Sequence, residues 1–408
     1  MTANSSVEFL IWLLIAASVI AVIAKRIGIP YTVALVLGGL LLSVVHLPAL
    51  APLHQGNRPD WLTPDVILIL FLPALLFEGS LKIELRHIRT DIVPLLLLAN
   101  LGVLVATLVT GLVIYYAVGM SLIVALLFGS MVSATDPISV LSIFKEVAVE
   151  ERLSVLVEGE SLLNDGTAVA LFQILLASAV GGGIGLVLGA GQFLLSVAGG
   201  ALLGLALGYF VSTLTKRIDD AQVEITLTTI LAYGTFLLAR HLHLSGVIAT
   251  VAAGLVIGNV AAKTGMSART LTALRSFWEY ASFIINSLVF LLIGLEVRLG
   301  GVLRAWKPIL IAIAAIFLGR ILSVYTLVPF SNLFSKRIPI VWQHVMVWGG
   351  LRGALSLALA LSLDSAFPYR DQILNLTFGV VVFSILVQGL SIKPLLRILR
   401  LAPEAPHE

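Results

Sequence analysis

Residues 93–116 read VPLLLLANLGVLVATLVTGLVIYY, twenty-four positions without a charge. An uncharged apolar run of eighteen or more residues is long enough to cross the ~30 Å hydrocarbon core of a bilayer as one helix. Residues 9–24, FLIWLLIAASVIAVIA, repeat the pattern. Of the 408 residues, 59% are hydrophobic and 12% charged, and the mean hydropathy is +1.08. That balance exceeds what a soluble core requires, and the chain reads as an all-α polytopic membrane protein. At about 20 residues per span roughly a dozen helices fit, which predicts one integral domain over 1–408 and no soluble domain.

Outward from that stretch, apolar segments fall at 8–24, 31–48, 65–80, 92–118, 121–144, 153–178, 184–214, 223–240, 244–261, 277–296, 305–330, 338–363 and 371–392, about thirteen spans. Residues 1–9 hold no Lys or Arg, while Lys25 and Arg26 follow the first run, the reverse of a signal peptide's charge order. Counted over alternate connections, 17 basic residues share the side of the C-terminus and 6 lie opposite. Basic residues accumulate on the cytoplasmic side, so the N-terminus is expected outside and the C-terminus inside, in the cell (inner) membrane. Arg320 and Arg352 lie within apolar segments and need partners. The absence of cysteine excludes disulfides and thiol catalysis. His241 and His243, two apart, face different sides of a helix and suit no zinc site.

Six spans (1–178), a connecting helix (184–214) and six more (223–400) predict two inverted repeats, whose site lies near midplane on interrupted helices. Segments five and twelve correspond, and both carry breakers: SATDPISV (133–140) and WGGLRGALS (348–356). Pro137 lacks an N–H and disfavours helix at Asp136, and Gly349, Gly350 and Gly353 weaken the second helix. Segment six carries EGESLLNDGTAVALF (158–172). Each charged carboxylate at the centre of a membrane helix costs about 2.5–3.5 kcal/mol, so Glu158, Glu160 and Asp165 need a reason to be there. Asp165 lies twelve residues past Leu153, about 18 Å along a helix, and Asp136 about 14 Å from the inner surface, so the two reach similar depth. Glu158, Ser161 and Asp165 share one helix face; Glu160 and Asn164 share the neighbouring face.

Two buried aspartates repel when both are ionised, and burial disfavours either charge, so the pair is suited to hold a proton or a small cation in competition. Carboxylate, amide, hydroxyl and backbone oxygens are hard ligands for alkali or alkaline-earth ions. No phosphate loop or cofactor fingerprint is present, and neither a cofactor nor a nucleic-acid partner is expected. Glu78 ends segment three beside Lys82 and reads as an access-path residue or a helix-end charge; Glu158 reads as an inner-mouth or merely solvated carboxylate. Gly200, Gly204 and Gly208 space small residues for close helix packing, within the chain or between copies.

With LFEGS (76–80), ATDP (134–137), GESLLNDG (159–166) and GLRGALS (350–356) in order, essentially the whole chain resembles the monovalent cation:proton antiporter-1 family, the NhaP-type sodium/proton antiporters. The resemblance implies thirteen spans, a core that moves against a dimeric scaffold, and exchange of sodium or lithium for protons. On that resemblance Asp165 is the essential ion- and proton-binding carboxylate, and Thr135, Asp136 and Ser161 complete a sodium site with it. Asn164, where charge-moving relatives carry a second aspartate, marks the electroneutral branch. Glu160 corresponds to a structural partner of Arg320, and Arg352 to a charge compensator. The alternatives are a potassium/proton exchanger or a cation channel and, remotely, an intramembrane aspartyl protease, whose GxGD pattern is absent here.

Overall fold

In hydrocarbon no water satisfies a free backbone N–H or C=O, so a chain this apolar closes its hydrogen bonds within helices. The computed structural model describes residues 3–44, 64–84, 90–181, 186–296, 299–364 and 366–401, and among them the regular structure is helical throughout. In chain order the helices are α1 (Ala3–Ile27), α2 (Tyr31–Val44), α3 (Pro64–Lys82), α4 (Ile92–Val118), α5 (Leu122–Met131), α6 (Ile138–Glu146), α7 (Glu151–Gly181) and α8 (Leu186–Thr215). There follow α9 (Ala221–His241), α10 (Gly246–Thr264), α11 (Ala268–Glu296), α12 (Leu299–Arg304), α13 (Trp306–Ser331), α14 (Ile340–Trp348), α15 (Ala354–Leu361) and α16 (Arg370–Ile398). Among the described residues nine helices are long and apolar enough to cross a membrane. α2 and the halves α5, α6, α14 and α15 are shorter. Residues 45–48 of the second expected segment and 184–185 of the seventh lie outside the described residues. Three π-helical turns, at Leu97–Gly102, Ile257–Ala261 and Ser384–Gln388, leave no trace in the apolar pattern.

The helices sort into two groups by packing. α4–α7 pack chiefly with one another and with α13–α16; α1–α3 pack chiefly with one another and with α8–α11. Within the second group α2 lies on α11 and α10 lies on α3, while α4 lies on α13 in the first. The tightest seams are backbone against backbone. A Cβ on Gly39 of α2 would stand 2.3 Å from the Leu291 carbonyl oxygen of α11, and one on Gly204 of α8 would stand 2.0 Å from the Ala249 oxygen of α10. The glycine run of the connecting helix therefore packs inside the chain, Gly200 against Ser245, Gly204 against Ala249 and Gly208 against Ala253.

The basic-rich connections meet at one end of the bundle. Arg152, at the start of α7, grips the buried Asp91 before α4 through Nε (2.9 Å) and Nη2 (2.6 Å), and donates to the carbonyls of Lys336 (2.8 Å) and Arg337 (3.0 Å) before α14. Lys393 near the end of α16 pairs with Glu146 at the end of α6 at 2.5 Å. Outward faces are apolar: Leu10, Ile11, Trp12, Val19 and Ile23 of α1 are exposed, as lipid-facing surface is.

The glycine seam makes a direct test. Gly204→Ala is expected to cost about 1–3 kcal/mol, because the Ala249 carbonyl cannot retreat. Gly234→Ala on α9, where a Cβ meets nothing within 4 Å, is expected to be neutral or slightly stabilising. Thermal unfolding in detergent separates the two; equal melting temperatures would remove the seam from the account.

Candidate ion-binding site

The two interrupted segments pass each other where their helices break. Between α5 and α6, and between α14 and α15, the chain runs unwound, and the Asp136 N–H donates to the Leu351 carbonyl at 2.8 Å. Pro137 has no N–H to offer and stands just before α6. Gly353 is required by contact: a Cβ there would lie 2.0 Å from Asp136 Oδ2. Asp136 Oδ1 accepts from the Ile138 N–H at 3.1 Å, and the carboxylate also accepts from the Ala354 N–H. It thus faces the N-terminal ends of both α6 and α15, where free N–H groups and the peptide dipoles favour a negative charge or an anion-lined ion site.

The opposite ends, rich in free carbonyls, are met by cations. Arg320 donates from Nε (3.2 Å) and Nη2 (2.9 Å) to the Met346 carbonyl in the last turn of α14, and Arg352 Nη1 donates to the Gly350 carbonyl. Arg320 also forms a two-pronged pair with Glu160 of α7, Nη1 to Oε1 and Nη2 to Oε2, the latter at 2.9 Å. Glu160 is 2% exposed and Arg320 8%, so each charge is neutralised by a partner rather than by water. Arg352, 1% exposed, has no carboxylate within ion-pair distance among the described residues; its backbone N–H donates to Ser384 Oγ at 3.2 Å.

α7 runs unbroken beside the crossing and fastens it. Ser161 Oγ donates to the Thr135 carbonyl, Asn164 Nδ2 donates to Thr135 Oγ1 at 2.8 Å, and Asn164 Oδ1 accepts from the Thr135 N–H at 3.2 Å. A cavity of about 170 Å³ opens against this arrangement, with Thr135, Asp136, Ser161, Asp165, Glu78 and Glu158 on its wall. Six of the residues singled out from the sequence are brought together there. Asn164 is absent from the wall, and its amide is spent on Thr135. Glu160, Arg320 and Arg352 are absent from it as well. Glu78 both lines the cavity and pairs with Lys82, which reaches Glu279 at 3.0 Å.

Sequence reading misses two wall residues. Asn286 lies in the apolar run FIINSLVFLL (283–292) of α11, where a lone amide in a span was the available signal; Ser356 sits inside a quoted motif without a role. It also misses the Asp91–Arg152 pair, having counted Arg152 only as a loop charge. The wall offers the carboxylates of Asp136 and Asp165, with Glu78 and Glu158 further along it, and neutral oxygens, and among the described residues no group of three or more His, Cys, Asp or Glu is placed for a metal ion. Such a set suits a singly charged hard cation, and a volume near 170 Å³ leaves room for a few of its waters at about 30 Å³ each.

Together the fold and site define a multi-pass membrane protein with buried carboxylates held between crossing broken helices. Comparison with known proteins places it further. Residues 13–398 match the family described as sodium/hydrogen exchanger, transmembrane. The Na(+)/H(+) antiporter NhaG of Bacillus atrophaeus is 43% identical over 387 residues, covering 94% of this chain and 73% of that protein. NhaH of Halobacillus dabanensis, also a Na(+)/H(+) antiporter, is 42% identical over 396 residues, covering 96% and 97%. The structure of the sodium proton antiporter MjNhaP1 from Methanocaldococcus jannaschii at pH 8 shares the fold with a TM-score of 0.80 at 20% identity, covering 98% of this chain and 100% of that one. The chain belongs to the transmembrane sodium/hydrogen exchangers, the monovalent cation:proton antiporter-1 family.

The buried pair gives a second test. Glu160→Gln strands the Arg320 charge and is expected to cost several kcal/mol, about 3–5, in detergent stability. Replacing Arg320 with Gln as well recovers part of the loss but not all, because the Met346 carbonyl then lacks its donors. Strictly additive losses in that cycle would show that the two do not act as a pair.

Proposed function

We propose that this protein is a secondary antiporter that exchanges sodium, or lithium, for protons across the cell membrane, the cation and the proton competing for Asp165. The observation that carries it is the shared cavity: Asp136 and Asp165 on one wall with Thr135 and Ser161, between two helix breaks. A carboxylate there is neutralised either by a proton or by a cation, and either loaded form crosses more readily than the bare charge. The activity named for the relatives NhaG and NhaH supports the choice of ions.

In this reading the thirteen segments are thirteen crossings, with α5–α6 and α14–α15 each making one. Residues 1–178 and 223–400 form inverted repeats joined by α8. The packing supports this: exchanging second with ninth and third with tenth crossings turns the α2–α11 contact into the α10–α3 contact, and leaves the α4–α13 contact on itself. The group α4–α7 with α13–α16 is the moving core, and α1–α3 with α8–α11 the scaffold, which carries the homodimer contact expected from the family resemblance. The end that gathers the basic connections faces the cytoplasm, with the N-terminus outside and the C-terminus inside. Glu158 and Glu78 line the same cavity as Asp165 and stand nearer that end along α7 and α3, which supports an inward-facing form with Glu78 and Glu158 on the access path.

The exchange is read as one-for-one, with Asp136 staying charged as a cation ligand. Asn164 holds Thr135 through both ends of its amide and carries no charge, which supports Asp165 as the one exchanged group and a cycle that moves no net charge. In proteoliposomes with an enclosed pH dye, Asp165→Asn is expected to abolish sodium-driven proton flux while leaving a folded protein. Asp136→Asn is expected to be nearly as severe through lost cation affinity. Because protons and sodium compete, the wild-type sodium KM is expected to rise as pH falls, by up to about tenfold per unit where Asp165 is mostly protonated. Robust flux in Asp165→Asn would overturn the mechanism.

Stoichiometry has its own check. A membrane potential acts on transported charge with about 2.3 kcal/mol per elementary charge per 100 mV. Clamping the liposomes with potassium and valinomycin at several potentials is expected to leave the rate unchanged; a steady potential-dependent rate would show that more than one proton moves per sodium.

A further inference from the structure

Four of the wall groups assigned to the ion, Thr135, Asp136, Ser161 and Asp165, lie on α7 or beside α6, all within the group of helices that also includes α4 and α13–α16. Asn286 does not. It stands on α11, which packs with α1, α2, α3 and α9 in the other group, yet it lines the same cavity. Its residue is 6% exposed and its side-chain oxygen has no hydrogen-bond partner. A buried carbonyl left unpaired costs roughly 1–3 kcal/mol, so an amide kept at such a place calls for something that it can hold. Ser282 and Ser287 on the same helix also carry unpaired hydroxyls, but neither reaches the cavity wall. Ser356 of α15, whose buried hydroxyl is also unpaired, lines the same cavity. Two residues with uncommitted buried neutral oxygens thus line one cavity from the two groups of helices, beside Asp136 and Asp165.

We propose that Asn286 is a ligand of the transported cation in this conformation, so that the ion is held across the seam between the two helix groups and not by the moving group alone. The proposal rests on the antiport reading and deepens it. An amide oxygen is a hard, neutral ligand suited to sodium or lithium. Asp136, Asp165, Thr135, Ser161 and Ser356 travel with their own group, and the Asn286 oxygen stays behind when that group moves. The cation therefore has one more ligand when the site faces the side to which this cavity opens than when it faces the other. Loss of the amide weakens binding from one side and, by microscopic reversibility, tilts the loaded carrier toward the opposite-facing state.

The test measures sodium KM separately at each face, in inside-out and right-side-out membrane vesicles from the same cells. Wild type is compared with Asn286→Ala, Asn286→Ser and Asp165→Asn. Asn286→Ala is expected to raise KM about three- to tenfold at the face to which the cavity opens, with the other face within about twofold. Asn286→Ser, which keeps a neutral oxygen, is expected to fall between, and it carries the test should the alanine variant fail to fold. Equal rises at both faces, or no rise at either, would overturn the assignment. Continued exchange by Asp165→Asn would overturn the antiport reading itself, whereas an inactive Asp165→Asn beside a symmetric Asn286→Ala would overturn this inference alone.

Discussion

The hydrogen bond from the Asp136 N–H to the Leu351 carbonyl joins two stretches of unwound backbone deep in an apolar protein, and the rest of the site depends on making that arrangement tolerable. Unwinding a membrane helix exposes N–H groups on one half and carbonyls on the other, with no water to take them. The crossing answers this by sorting. N-terminal ends of α6 and α15 converge on Asp136, and carbonyls at the end of α14 and just beyond it meet Arg320 and Arg352. Glu160 then neutralises Arg320, and Asn164 and Ser161 hold Thr135 in place. Glu160, Ser161 and Asn164 of α7 thereby each have a task set by the neighbouring break, and Asp165 lines the cavity together with Ser161.

Much of this is legible in the sequence. Pro137 and Gly353 announce the breaks because their backbone chemistry is local, and a carboxylate in an apolar span announces itself by its cost. The need of Glu160 for a cationic partner is readable too, but Arg320 and Arg352 are both stranded in hydrocarbon, and only the family resemblance favours Arg320, the one found against it. Asn286 was not readable, since a single amide in an apolar run is compatible with ordinary helix packing, and only the fold brings α11 against the cavity. The same holds for Asp91 and Arg152, which look like connection charges until three chain segments meet around them. The π-turns escaped for a related reason: one extra residue in a uniformly apolar helix alters no visible period.

Asn164 shows how a resemblance and a geometry answer different questions. The family pattern treats the position as a place where a charge is or is not carried, and the structure shows both ends of its amide engaged by Thr135. An ionised aspartate there could accept from both the Thr135 N–H and its hydroxyl, so either side chain can hold the unwound segment, and the two differ in the charge they bring beside it.

The seams at Gly39 with Gly294 and at Gly204 with Ala249 bring main chain onto main chain with almost no side chain between them. Such joints lack the rotamer freedom through which helices ordinarily slip past one another, and a small displacement meets hard repulsion at once. The frame they build is stiff, like a rail bolted at short intervals. Between the two groups of helices around the cavity lie Leu72, Leu141, Leu162 and Val289 instead, side chains whose rotamers can yield where a main-chain joint cannot.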